Sequence, residues 1–106
     1  MLLLFQIEYK TSPGQQLTVA GSVPELGSGC PDKAPFMTLK NAKNGLWTYS
    51  LELKEDADFR YRYFVKDNNF NTFLEEWGPD RLFHSEKRSD KTILLADRWR
   101  SASDPE

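Results

Sequence analysis

The sequence predicts an all-β protein, an antiparallel β-sandwich of about seven to eight short strands. Three observations predict it. Short segments alternate apolar and polar residues with a period of two. Clusters of Gly, Pro, Asn, Asp and Ser separate those segments at close intervals. No window carries an amphipathic helical period, and no internal repeat is present. At 106 residues, of which 39% are hydrophobic and 28% charged, the chain suits one domain with one compact core and argues against global disorder. The domain is expected over residues 1–100, with 101–106 as a linker toward a following domain.

Each element has its own signal. Leu3, Phe5, Ile7 and Tyr9 alternate with Leu4, Gln6 and Glu8 as a first strand, closed by the turn Thr11-Ser12-Pro13-Gly14. Residues 16–21 form a second strand with Leu17 and Val19 inward, and 22–35 form a loop rich in Gly, Pro and Ser. Residues 36–39 are a short strand, and Asn44-Gly45 marks a hairpin because Asn-Gly favours positive φ. The clearest alternation follows. Trp47, Tyr49, Leu51 and Leu53 share one face against Thr48, Ser50, Glu52 and Lys54, which places Trp47 in the core. A polar turn at 54–58 leads into strand 59–66, with Phe59, Tyr61, Tyr63 and Val65 on one face and Arg60, Arg62 and Lys66 on the other. A turn at 67–71, a return over 72–77 and a closing strand at 93–96 complete the sheets. Residues 97–100 are ambiguous: Trp99 packs at the sheet edge or against a following domain.

Composition removes several functions. Net charge is −2 and the basic residues are scattered, which opposes binding through phosphate neutralisation and leaves no basic groove for single-stranded nucleic acid. Cys30 is the only cysteine, so no internal disulfide forms, which fits a reducing compartment. The N-terminus lacks a basic n-region and its apolar run stops at Gln6; no stretch approaches the roughly 18–20 apolar residues of a membrane span. A cytoplasmic location is expected. His84 stands alone, with no partner at metal-ligand or catalytic spacing, and no Gly-rich phosphate loop or cofactor motif is present. Glu75 and Glu76 are adjacent on extended chain and point to opposite faces, so they read as solvated surface acids rather than an acid–base pair.

Trp77 follows those two acids and precedes Gly78-Pro79, so it lies on turn-forming chain where burial is hard to arrange. Arg62 points outward from the neighbouring strand. An indole on a turn beside a guanidinium suits a flat, hydroxyl-rich ligand, which is the character of a sugar.

Four segments then combine. Residues 17–27, reading Leu-Thr-Val-Ala-Gly-Ser-Val-Pro-Glu-Leu-Gly, resemble the opening of starch-binding domains, the family-20 carbohydrate-binding modules. Gly45-Leu46-Trp47 is similar to their central tryptophan strand, Phe59-Arg60-Tyr61-Arg62-Tyr63 to their Glu-Tyr-Lys-Tyr strand, and Glu76-Trp77 with Asp80-Arg81 to their Trp-Glu…Asn-Arg loop. The resemblance covers about residues 3 to 96. It implies an immunoglobulin-like sandwich that catalyses nothing and binds α-glucan: starch, glycogen or maltooligosaccharide. By position it assigns carbohydrate binding to Trp77, Arg62 and Asp80, the last where an asparagine is usual. The family's second tryptophan falls on Gly29, which removes one side of the aromatic clamp. Thr18 replaces a tyrosine of the second sugar site and residues 40–44 lack its aromatic, so no intact second site is expected. Among proteins with such a module at the N-terminus and no secretion signal, 4-α-glucanotransferases of the amylomaltase type are the nearest resemblance, which implies a covalently linked C-terminal catalytic domain. The alternative is an immunoglobulin-like protein-docking domain that has lost sugar binding, with Trp77 as its interface anchor.

Overall fold

The computed structural model describes residues 2–53, 58–67, 69, 72–84 and 92–100. Its strands are β1 (Leu2–Glu8), β2 (Gln16–Gly21), β3 (Thr38–Asn41), β4 (Leu46–Glu52), β5 (Phe59–Lys66), β6 (Thr72–Glu75), β7 (Arg81–Phe83) and β8 (Thr92–Arg98). One sheet has the order β3-β4-β1-β8. In the other, β5 is central, with β2 on one side and β6 and β7 one after the other on its second side.

The period-two alternation decides what lies between the sheets. Leu3, Phe5 and Ile7 from β1 meet Leu17 and Val19 from β2 and Phe59, Tyr61, Tyr63 and Val65 from β5, all nearly without solvent exposure. Phe5 presents its ring edge-on to Tyr61 at 5.2 Å between centroids, a favoured aromatic geometry. Trp47 belongs to this core, and its indole Nε1 donates to the Tyr9 carbonyl at 3.2 Å. The β3–β4 hairpin docks on the same residue, with the Tyr9 N–H donating to the Gly45 carbonyl at 2.8 Å. Gly45 has φ +68, and a Cβ there would lie 2.7 Å from the Tyr9 carbonyl oxygen, so glycine is required twice over.

Five features depart from the strand-by-strand expectation. β8 runs parallel to β1, so the sandwich is not wholly antiparallel. The segment expected as one strand at 36–39 serves both sheets: Phe36 bridges Thr18 of β2, and Thr38–Asn41 pairs with β4. β7 is an additional three-residue strand, and β8 extends to Arg98. The loop after β2 is also more than a connector. It contains two 3-10 turns, Pro24–Leu26 and Pro31–Lys33, and roofs the outer face of the second sheet. Ala20, Ala34 and Phe64 form a small buried cluster beneath it, and the outward-pointing Lys66 is buried with Asp32 at 3.4 Å. Most of the turn expected at 54–58, most of that at 67–71 and the linker at 101–106 lie outside the described residues.

Candidate functional site

Strand register creates the site. Phe64 pairs with Glu75 and Tyr61 with Arg81, so residues 76–80 stand opposite only Arg62 and Tyr63. Five residues cannot stay in a ladder against two, and the chain leaves the sheet edge as a turn. The ladder holds for one further bond, from the Glu76 N–H to the Tyr63 carbonyl at 3.2 Å, before Trp77-Gly78-Pro79 swings out.

Arg62 lies directly under that turn. Its Nε donates to the Asp80 carboxylate at 2.9 Å, and its Nη1 donates to Glu75 Oε1 at 2.9 Å and to the Glu76 carbonyl at 2.8 Å. Its Nη2 donates to the Gly78 carbonyl. Four of the five guanidinium N–H groups are therefore committed among the described residues, three to the turn and one to Glu75 at the end of β6. Arg62, to which the resemblance assigns carbohydrate binding, therefore holds the turn in shape and has one N–H uncommitted among the described residues.

A second set of charges fastens the turn from inside. Glu76 points between the sheets, its carboxylate without exposed surface, and accepts from Arg81 Nε at 3.2 Å and from Arg81 Nη2. Arg100 Nε lies 3.2 Å from the same carboxylate, and the Arg100 N–H donates to it at 3.3 Å. Glu76 is thus not the surface acid that its exposed neighbour Glu75 is. Arg81 also reaches Asp97 at 3.5 Å and lies over the Tyr63 ring, 5.6 Å from its centroid. Asp97 accepts from the Tyr61 hydroxyl at 2.8 Å and the Tyr63 hydroxyl at 2.7 Å. Burial, and then the charge of Asp97, push both tyrosine pKa values well above their ordinary range. Burial alone would lower the Arg81 pKa, but its hydrogen bond to Glu76 and the charges of Glu76 and Asp97 outweigh that and raise it.

Two grooves flank the turn. Trp77, half exposed at 50%, opens on an apolar groove of about 330 Å³ shared with Leu74, Glu75, Trp99 and Arg100. Asp80 opens on a wider groove of about 600 Å³ with Arg60, Phe64 and Gly29. Arg62 and Glu75 border both. Arg62 and Asp80 are thus joined directly, whereas Trp77 shares their turn but not Asp80's groove. Gly29 has φ +86, and a Cβ placed on it would meet nothing within 4 Å, so the wall opposite Asp80 is open there.

Sequence alone offers Trp99 two places, the sheet edge or a following domain. In β8 the odd-numbered positions 93, 95 and 97 are the partly buried ones, and Trp99 continues that parity; its ring packs on Tyr9 at 4.6 Å. That parity was the available signal for its orientation, but nothing in it shows that Trp77 lies alongside.

Comparison with known proteins adds three findings. A family model described as "Starch binding domain" matches residues 1–93. Among curated relatives, a glucoamylase of Neurospora crassa is 29% identical over 94% of this chain and 16% of its own length. A 4-alpha-glucanotransferase of Oryza sativa subsp. japonica is 31% identical over 96% of this chain and 11% of its own. Among solved structures, a glycoside hydrolase family 15 glucoamylase from Hypocrea jecorina superposes with a TM-score of 0.85 at 20% identity, over 94% of this chain and 17% of that one. At that identity the superposition speaks to the fold alone. The chain spans less than a fifth of the length of each of these proteins.

Proposed function

Since the chain belongs to the starch-binding domain family, we propose that it is a non-catalytic module that holds α-glucan by stacking a glucose ring on Trp77. The observation that carries this reading is the half-exposed Trp77 indole on a turn whose backbone is fixed by Arg62 beneath and by Arg81 and Arg100 behind. A pyranose has one face lined by C–H groups and an equator of hydroxyls. The indole covers the C–H face and complements it electrostatically, because the ring face is electron-rich. Covering roughly 60–80 Å² contributes about 1.5–2 kcal/mol. Glu75 and Asp80, with side chains 56% and 48% exposed, can accept from hydroxyls, and Arg62 can donate one N–H. Each such bond nets only about 1 kcal/mol because water competes for the same groups. Short oligosaccharides should therefore bind with Kd of about 10 µM to 1 mM.

The test is titration of β-cyclodextrin or maltoheptaose, followed by tryptophan fluorescence and by calorimetry. Trp77→Ala should keep the far-ultraviolet spectrum of the parent and bind about 10–30-fold more weakly, the loss that corresponds to the stacking energy. An unchanged affinity in that variant, or no response from the parent protein at tens of millimolar ligand, overturns the reading and favours protein docking through Trp77.

We also read the module as part of a longer enzyme that acts on α-glucan. Its likeness to a glucoamylase and to a 4-alpha-glucanotransferase, each several times its length, supports an attached amylolytic or transglycosylating domain. A 4-α-glucanotransferase is the parent we favour. Reading the gene beyond codon 106 tests it, and a glucoamylase sequence there would refute the choice.

A further inference from the structure

The turn that carries Trp77 and the segment that carries Trp99 are laced together. The Trp77 N–H donates to the Arg100 carbonyl at 3.0 Å, and Arg100 Nη2 donates to the Pro79 carbonyl at 2.7 Å. The Arg100 N–H and Nε both address Glu76. These contacts, from backbone and from the Arg100 side chain, join the two segments directly without help from a ligand. Both indoles then border the same groove, with Leu74, 39% exposed, beside them. The groove's volume, about 330 Å³, falls at the lower end of the roughly 300–1,000 Å³ of small-molecule sites. Its rim is polar. Glu75 uses Oε1 on Arg62 and keeps Oε2 as an acceptor among the described residues, and the guanidinium groups of Arg62 and Arg100 border the opening. Apolar walls of two indoles with acceptors and donors at the edge match a pyranose, whose C–H faces are apolar and whose equator is hydroxylated.

We infer that Trp99 is the second aromatic wall of the glucan site, so that the sugar lies between Trp77 and Trp99 rather than between Trp77 and the loop at Gly29. The inference rests on the α-glucan reading and deepens it. Two observations separate the alternatives. Trp77 does not border the groove that contains Gly29, and residue 29 has no side chain to offer. Residue 99 also lies outside the span 1–93 matched by the family model.

The experiment uses the three tryptophans of the chain separately. Trp47 is buried at 5% exposure, so in a Trp77→Phe protein any change of emission on adding β-cyclodextrin reports Trp99. A shift of emission that saturates with the calorimetric binding curve is expected. Trp99→Ala should weaken β-cyclodextrin binding about tenfold, the loss of one stacked ring. Should that variant fail to fold, because Trp99 also packs on Tyr9, Trp99→Tyr keeps a ring there and should bind severalfold more weakly. A folded Trp99 variant with the parent's affinity, or a Trp77→Phe protein that binds with no optical response, overturns the inference. If Trp77→Ala still loses binding, the α-glucan reading survives that result; if it does not, both fall.

Discussion

Two turns border the groove that Arg62 lines, at 76–80 and at 27–30, and they are built differently. The 76–80 turn is fastened by side chains from three places: Arg62 below it, Arg81 at its end and Arg100 from the last strand's extension. The turn at 27–30 is held by its own neighbourhood, with Gly29 N–H donating to the Gly21 carbonyl at 2.7 Å and Ser28 N–H to the Val23 carbonyl at 3.0 Å. The first presents an indole, the second, Gly27-Ser28-Gly29-Cys30, no ring. The difference teaches what a turn needs in order to hold an aromatic ring out to solvent. The backbone that carries it must have its polar groups satisfied before the ligand arrives, so that binding does not have to order the turn.

The comparison is broken most severely from the buried side. Arg81→Met leaves the Glu76 carboxylate, which has no exposed surface, to Arg100 alone. Breaking a buried ion pair by removing one partner costs about 3–5 kcal/mol. Urea denaturation followed by circular dichroism should show that loss, with weaker β-cyclodextrin binding in the folded fraction. A loss below about 1 kcal/mol would mean that the pair behaves like an exposed one.

Alkali attacks the same cluster without mutation. Tyr61 and Tyr63 keep their protons in the fold far above the ordinary tyrosine pKa of about 10, because burial and then Asp97 disfavour the phenolate. The unfolded chain releases both protons at about pH 10, so the folded state binds more protons above that pH. Stability is therefore complete below about pH 10 and falls above it by about 1.4 kcal/mol per pH unit for each tyrosine, about 2.7 for both. Denaturation midpoints measured through that range should decline with this slope, and near-ultraviolet absorbance should show these two phenols ionising only as the protein unfolds.

How much of this was legible follows from how local each signal is. The inward faces of β1, β2, β4 and β5 were readable because alternation is a property of neighbours in sequence. Trp77 was readable because Gly78 and Pro79 follow it directly. Glu76 was not, since its burial depends on Arg81, five positions on, and Arg100, twenty-four positions on. β7 is three residues long, too short for alternation to show. The parallel sense of β8 was hidden because periodicity carries no direction. Arg62 was correctly placed outward, yet its partners are carbonyls and carboxylates of a turn whose shape the sequence does not specify.

Two gentler changes sharpen the contrast. Arg62→Lys keeps the charge, but one ammonium cannot span Glu75, Asp80 and two carbonyls as the planar guanidinium does. A stability loss of about 1–2 kcal/mol is expected, with Trp77 more mobile in fluorescence anisotropy before any ligand is added. Full retention of turn order in that variant would instead make Arg62 chiefly a ligand contact. Gly29→Trp gives the open turn the ring it lacks. Its left-handed backbone should cost about 1 kcal/mol. Affinity for maltoheptaose should rise by no more than about tenfold, since a ring on that turn still has to be ordered by the ligand. A larger gain would show that fastening matters less than the ring itself.

The parallel register of β1 with β8 bears on the order of events in folding. Leu2 pairs with Thr92, ninety positions away, and the bonds that lock the Trp77 turn come from Arg100, beyond that pairing. Contacts of such long range form late, because loop closure must precede them. A nascent chain stalled before residue 100 could collapse much of its sandwich and still lack one of the three fastenings of the Trp77 turn. The Trp77 turn is thus completed only after the rest of the sandwich.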